Sequence, residues 1–195
     1  MDHNPNRVLQ IAGVDEVGRG ALFGPVVAAA VVLSGPAGDQ LRALGVTDSK
    51  RLTSGQRQRL VEPIQTLASD YAIGLASVHE IGRINVLQAT LLAMARAVRQ
   101  LTPPPELCLI DGNQAVPNLG LPQQTVVQGD QKHIEIAAAS ILAKVWRDTL
   151  MIRLDHRYPG YGLAANKGYG SVFHRQAIQA QGASAYHRRS FKGCG

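Results

Sequence analysis

Two apolar runs open the chain. Residues 8–14 (VLQIAGV) stop at the adjacent acids Asp15 and Glu16, and residues 26–33 (VVAAAVVL) lie between Pro25 and Ser34-Gly35-Pro36. Their β-branched content and turn-forming borders predict two strands joined by a glycine-rich turn, an early hairpin. Thr53 followed by Gln56 reads as a capping box ahead of a helix over residues 57–67, which Pro63 is expected to kink or interrupt. Residues 71–78 read as a strand. Ser77 with Glu80 forms a second capping box, and Ile84, Leu87, Leu91, Met94, Ala95 and Val98 then recur at helical spacing until Thr102-Pro103-Pro104-Pro105. Two short apolar runs, residues 107–110 and 125–127, end at Asp111-Gly112-Asn113 and Gly129-Asp130. Residues 134–154 are alanine-rich and apolar over many turns, the pattern of a largely buried helix. After a Lys167-Gly168-Tyr169-Gly170 turn, a short helix is expected over residues 171–181. No internal repeat is present. Strands alternating with helices predict an α/β fold, and the hairpin predicts a mixed sheet.

The chain has 195 residues, 45% hydrophobic and 17% charged. That composition excludes a disordered or collagen-like chain and is sufficient for one core, so a single domain spanning 1–195 is expected, with residues from about 157 onward as an appendage. Cys108 and Cys194 stand in no zinc-binding spacing, and none of the histidines does either. No basic and apolar leader opens the chain and no run is long enough to span a bilayer, so a cytoplasmic location is expected. Charge is uneven: residues 1–130 hold 10 Lys and Arg against 11 Asp and Glu, residues 131–195 hold 10 against 3, and the net charge is +6. A basic final third suits a polyanion, although a solvated helix face with a basic tail has the same composition.

Asp15, Glu16, Asp111 and Asp130 each follow an apolar run. Four carboxylates from three segments are thereby placed to converge at one edge of the sheet, where ligands of α/β sheets commonly sit. Oxygen-only donors select a hard cation, Mg²⁺ or Mn²⁺, and two such ions suit in-line phosphodiester cleavage. Taken singly, Asp111 also fits an ordinary turn and Asp130 a helix cap. Neighbours in a regular strand point to opposite faces, so Asp15 and Glu16 require the strand to end or bulge there. Gly18-Arg19-Gly20 follows the first strand but leads into Pro25 and a β-branched run, which disfavours a dinucleotide-binding loop. A bare backbone that approaches a sugar or phosphate, with Arg19 free for an anion, is the better use; a plain hairpin turn is the simpler one.

The segments GVDEVGRG (13–20), GPVVAAAVV (24–32), TDSKRL (47–52), LIDGN (109–113), AAASILAKVWRD (137–148), NKGYGS (166–171) and HRRSF (187–191) occur in an order that resembles ribonuclease HII. The resemblance implies an RNase H-like α/β fold with a mixed central sheet flanked by helices and a helical C-terminal region. It implies an endonuclease that cleaves the RNA strand of RNA/DNA hybrids and incises 5′ to single ribonucleotides in duplex DNA. It implies Mg²⁺ or Mn²⁺ as the cofactor and products with 3′-hydroxyl and 5′-phosphate ends. It places the acidic tetrad on Asp15, Glu16, Asp111 and Asp130. By the same resemblance Gly18, Arg19 and Gly20 read the 2′-hydroxyl at an RNA-to-DNA junction, Tyr169 packs on the following deoxyribose, and Ser49 and Lys50 contact phosphate. Lys144, Arg188 and Arg189 are weaker candidates, the last two also reading as tail solubility. Arg51, Asn166 and Ser171 replace the lysine, histidine and threonine usual in the family, which bears on the geometry around Tyr169. A monomer is expected, with no membrane partner. The competing readings are a noncatalytic nucleic-acid-binding module and the related ribonuclease HIII, which usually carries an added N-terminal domain.

Overall fold

The computed structural model describes residues 9–194. Val8, the expected start of the first strand, and the N-terminal residues expected to carry no leader lie outside the described residues. Strands β1 (Ile11–Val17) and β2 (Val26–Leu33) form the expected antiparallel hairpin in unbroken register from Ile11↔Leu33 to Val17↔Val27. Helix α1 (Gly35–Ala43) follows, unforeseen in the sequence pattern. Ser34 ends the strand and also caps this helix, its Oγ accepting the Ala37 N–H, so residues that read as a terminator are a helix start as well. Helix α2 (Ser54–Leu67) has the expected Thr53/Gln56 capping box and continues through Pro63 without the expected interruption. Strand β3 (Asp70–Ala76) leads to helix α3 (Val78–Val98), strand β4 (Leu107–Asp111) and strand β5 (Gln123–Val126). The last elements are α4 (Ile134–Arg157), α5 (Leu163–Asn166) and α6 (Val172–Gln181).

The sheet order is β3-β2-β1-β4-β5, with β2 antiparallel to both neighbours and the β1–β4 and β4–β5 pairs parallel. Helices cover both faces. Ala28, Ala30 and Val32 of β2 share a core with Met94 and Val98 of α3, while Ala29 and Val31 share one with Leu41, Ile64 and Ile141 of α1, α2 and α4. A strand enclosed from both sides has no polar face to display, which accounts for the unbroken apolar run of β2.

Helix α3 departs from its expected face. Ile84 is exposed and Ile81 is buried instead. Asn85 lies at φ 66° within the helix, and its side-chain oxygen accepts the N–H groups of Leu87 and Gln88, so the helix is recapped midway and the hydrophobic phase resets.

Helix α4 begins at residue 134, as its composition predicts, and continues past the expected end at residue 154. Its first turns lie directly on β1. A Cβ at Gly13 would sit 2.1 Å from the Glu135 carbonyl carbon and 2.3 Å from the Ile136 nitrogen, so only glycine permits this approach. The second half of α4 carries a smaller core, in which Met151 packs with Leu22 and Phe23 of the β1–β2 loop and with Tyr161, Leu163 and Ile178 of the C-terminal segment. Among the described residues, no helix is long and apolar enough to cross a membrane.

Gly13→Ala is expected to push α4 from β1 and to destabilise the fold by about 1–3 kcal/mol, the usual cost of overpacking. Urea unfolding followed by circular dichroism measures it, and an unchanged midpoint would show that the helix yields at no cost.

Candidate active site

Asp15 and Glu16 lie inside β1, neither at its end nor at a bulge, contrary to the expected distortion. The reason is that the two edges of β1 stop at different places. Pairing with β2 continues through Val17↔Val27, whereas the parallel ladder with β4 stops at Val14↔Ile110. Beyond Val14 and Ile110 the β1 and β4 backbones are no longer paired, and Asp111, the last residue of β4, lies past that end of the ladder. Asp15 lies on the same side as Gly13, beneath α4, and Glu16 belongs to the opposite face; even so, one carboxylate oxygen from each of Asp15, Glu16 and Asp111 lies within 4.8 Å of the others.

Each acid is braced. Asp15 is 5% exposed, and one of its oxygens accepts the Glu16 N–H at 2.7 Å. Burial, reinforced by the charges of Glu16 and Asp111, holds the Asp15 carboxyl well above the usual carboxylate range, with a hydrogen bond from Ser140 only partly offsetting it. Burial also raises Glu16, against the pull of Arg19, whose Nη1 lies 3.2 Å from Glu16 Oε1. Asp111 ends β4, and its Oδ1 accepts the Gly129 N–H at 2.7 Å, so it ties two segments together where a simple turn residue would bond locally.

Asp130 stands apart from this trio. It lies in a short 3-10 turn (Gly129–Gln131), and His133 occupies the N-cap position of α4, so Asp130 does not cap that helix. Its buried carboxylate faces Lys50 Nζ at 3.3 Å. Burial raises Asp130, Lys50 counteracts this, and Asp48 and Asp111 add to the rise. Lys50 responds in the other sense: burial works to lower its pKa, but Asp130, Asp48 and Asp15 together raise it, so its ammonium is secure.

The carboxylate trio shares a cleft of about 370 Å³ with Gly18, Arg19, Gly20, Ser49, Lys50 and Tyr169, the residues expected to contact substrate, whereas Asp130, Arg188 and Arg189 do not line it. Ser49 is buried and its Oγ lies 2.9 Å from Ser140 Oγ, linking it to the residue that supports Asp15. Arg57 pins this turn by donating to the Ser49 and Leu52 carbonyls at 2.7 and 2.5 Å. Lys144 also lines the cleft, paired with Asp148 at 2.8 Å and set 5.9 Å from the Tyr169 ring centre.

Two arginines, Arg147, not among the expected site residues, and Arg188, expected as a weak candidate, are central to the cleft wall. Arg147 is 0% and Arg188 1% exposed, so Arg188 is no solubilising tail residue, whereas its neighbour Arg189 is exposed. Arg147 donates to the carbonyls of Pro25, Phe23 and Lys167, and Arg188 to those of Gly24 and Arg19. Together they clamp the β1–β2 loop against the loop that carries Tyr169 and against the C-terminal tail. Gly18, at φ 93°, is where Arg147 passes: a Cβ there would lie 2.3 Å from its Nε. The Arg147 guanidinium carbon sits 5.5 Å from the Tyr169 ring centre. Burial, with the nearby Arg147 charge, pushes Arg188 down to about 9, still protonated at neutral pH. Its Nη2 has no hydrogen-bond partner, and the guanidinium instead lies 5.2 Å from the Phe191 ring centre. Both arginines stand in motifs visible in the sequence, but nothing there distinguishes a buried clamp from a surface charge.

Three buried or half-buried carboxylates, two of which, Asp15 and Glu16, are raised chiefly by burial, form an oxygen-only donor set suited to a hard divalent cation. The family model described as Ribonuclease HII matches residues 12–194. Ribonuclease HII of Acaryochloris marina is 63% identical over 185 residues, 95% of this chain and 93% of that protein, and that of Trichormus variabilis is 56% identical over 184 residues, 94% and 82%. Among solved structures, ribonuclease H2 from Pyrococcus horikoshii OT3 superposes with a TM-score of 0.80 at 28% identity, covering 95% of each chain. RNase HII of Archaeoglobus fulgidus, solved in complex with PCNA, gives 0.80 at 28%, covering 94% of this chain and 96% of that one. A ribonuclease HIII, Bst-RNase HIII solved with Mn²⁺, shares the fold at a TM-score of 0.74 and 22% identity, but this match covers only 68% of its chain. The mixed sheet is the RNase H-like fold, and the noncatalytic and ribonuclease HIII readings give way to the match that spans the described core from β1 to the tail. The chain belongs to the ribonuclease HII family, divalent-metal-dependent endoribonucleases of the RNase H type that act on RNA/DNA substrates.

Proposed function

We propose that this ribonuclease HII incises on the 5′ side of single ribonucleotides embedded in duplex DNA as well as cleaving the RNA strand of RNA/DNA hybrids, leaving 3′-hydroxyl and 5′-phosphate ends. The observation that carries this reading is the sharing of one cleft by the carboxylate trio, the Gly18-Arg19-Gly20 backbone and Tyr169. Asp15, Glu16 and Asp111 hold the divalent cations, Mg²⁺ or Mn²⁺, with Asp130 as the fourth acid of the set. When bound, a pair of such ions neutralises charge on the scissile phosphate and activates water for in-line attack.

The protein's own residues do the rest by position. Gly20, with no atom within 4 Å of where a Cβ would stand, leaves the backbone open to a ribose 2′-hydroxyl. Tyr169, 36% exposed at the cleft wall, offers its ring to the next sugar, where a second 2′-hydroxyl would clash. Lys50, with its side chain largely exposed, faces the phosphate backbone, and the buried Ser49 beside it lines the same cleft. Residues from about 157 to 195 act as a substrate-binding appendage of the single catalytic domain. Its exposed Arg175 and Arg189 supply the positive charge that the sequence count places there. The protein works as a cytoplasmic monomer whose incision starts the removal of ribonucleotides from DNA.

Asp15→Asn is expected to reduce nicking of a duplex with one ribonucleotide by at least about 10³-fold while duplex binding persists, because the loss falls on transition-state stabilisation. Undiminished turnover would remove Asp15 from the metal site. Asp15 and Glu16 have folded-state pKa values raised above their unfolded ones, so the metal-free protein loses stability as pH rises through those values. Added Mn²⁺ is accordingly expected to raise Tm more at high than at low pH, and thermal melts with and without chelator measure the difference; a Tm gain independent of pH would count against it. Tyr169→Ala should bring the rates on a lone ribonucleotide and on an RNA stretch within a few-fold of each other. An unchanged preference in paired cleavage assays would rule out Tyr169 as the discriminating residue.

A further inference from the structure

Behind Tyr169 lies a buried pair of histidines that the cleavage chemistry does not use. His174, on α6, and His187, in the tail, are 0% and 2% exposed, and their Nε2 atoms are 3.1 Å apart. The proton positions follow from the fixed partners. The Ser184 backbone N–H donates to His187 Nδ1 at 2.9 Å, so that nitrogen is bare and His187 carries its proton on Nε2. The Tyr169 carbonyl lies 2.8 Å from His174 Nδ1, and a carbonyl only accepts, so His174 carries its proton on Nδ1 and its Nε2 is bare. One arrangement alone satisfies every bond: Ser184 N–H to His187, His187 Nε2–H to His174, His174 Nδ1–H to the carbonyl of Tyr169. A proton added to either ring would set two donors face to face.

We infer that this histidine relay is a positioning device for ribonucleotide recognition, fixing the backbone of Tyr169, and with it the ring, against the Gly18-Arg19-Gly20 loop. The inference rests on the reading of Tyr169 given above. Its placement supports it. His187 packs edge-on to Phe23 with ring centres 4.9 Å apart and forms a bridge with the same residue, while Ala21 forms one with Tyr169. The relay therefore closes a ring from the β1–β2 loop through the tail and α6 to Tyr169 and back. The other end of His174 is equally constrained, since Ser171 Oγ accepts its backbone N–H and Ser171 donates its own N–H to the Tyr169 carbonyl. Burial, together with the neighbouring His174, pushes His187 down to about 4, and burial lowers His174, so both rings are neutral at neutral pH, as the relay requires.

The test uses the full chain. Long-range ¹H–¹⁵N spectra of the wild-type protein at neutral pH should show one ring protonated on Nε2 only and the other on Nδ1 only; two Nε2–H tautomers or a charged ring would overturn the relay. His187→Phe keeps the aromatic packing and removes the donor. It is expected to lower the ratio of kcat/KM on a lone ribonucleotide to that on an RNA stretch by about tenfold, through misplacement of Tyr169, with the Mn²⁺-induced rise in Tm retained. His187→Gln, which restores an N–H toward His174, should recover most of that ratio. An unchanged ratio in His187→Phe, or equal losses in both variants, would overturn the positioning role. Tyr169→Ala in the same assay separates the two failures: if it abolishes the preference while His187→Phe does not, only the relay fails, and if it has no effect, the reading of Tyr169 itself fails.

Discussion

Mutual repulsion among buried and half-buried carboxylates is the constraint around which this molecule is organised. At separations within 4.8 Å, two full charges repel by on the order of 3 kcal/mol even at an effective dielectric constant of about 20, before any cost of burial. The protein tolerates the arrangement in its metal-free form by holding protons on Asp15 and Glu16 longer than free carboxylates would. A divalent cation held among them would remove that penalty. The fold meets this requirement with sheet order alone. Placing β1 between β2 and β4, and ending the β4 ladder early, lets acids from both faces of one strand meet an acid from its parallel neighbour.

The other wall of the cleft is assembled by a different means. The β1–β2 loop has few side chains of its own with which to hold a shape, and much of its backbone hydrogen bonding goes to groups distant in the sequence. Arg147 and Arg188 gather five carbonyls from it and from the Tyr169 loop. Two buried cations would be costly if left unpaired, but each donates to backbone carbonyls, three from Arg147 and two from Arg188, and their removal would leave those oxygens unsatisfied in turn. Asn166 contributes at the same corner: its side chain donates to the Tyr161 carbonyl and accepts the Gly168 N–H. The residue that stands where the family usually has histidine thus braces the turn just before Tyr169. Ser171, in place of the usual threonine, caps α6 as a threonine hydroxyl would.

Most elements were legible in the chain because their causes are local. Capping boxes at Thr53 and Ser77 mark helix starts through hydrogen bonds made within three residues, and the apolar run of β2 records burial on both faces. Two failures share one origin. Ser34-Gly35-Pro36 both ends a strand and begins a helix, and Asn85 recaps α3 in mid-course, so a single residue type is compatible with two local outcomes and packing selects between them.

By itself the sequence determined that an α/β fold would form, that acids would follow apolar runs, and that the whole resembled a metal-dependent nuclease, because periodicity, caps and motifs are properties of neighbouring residues. Only the tertiary structure decided that Asp15, Glu16 and Asp111 meet while Asp130 turns to Lys50, that Asp15 and Glu16 need no bulge, and that Arg188 is a buried clamp. Those outcomes depend on which strand ends first and which carbonyls converge, and such distances are set between segments far apart in the chain.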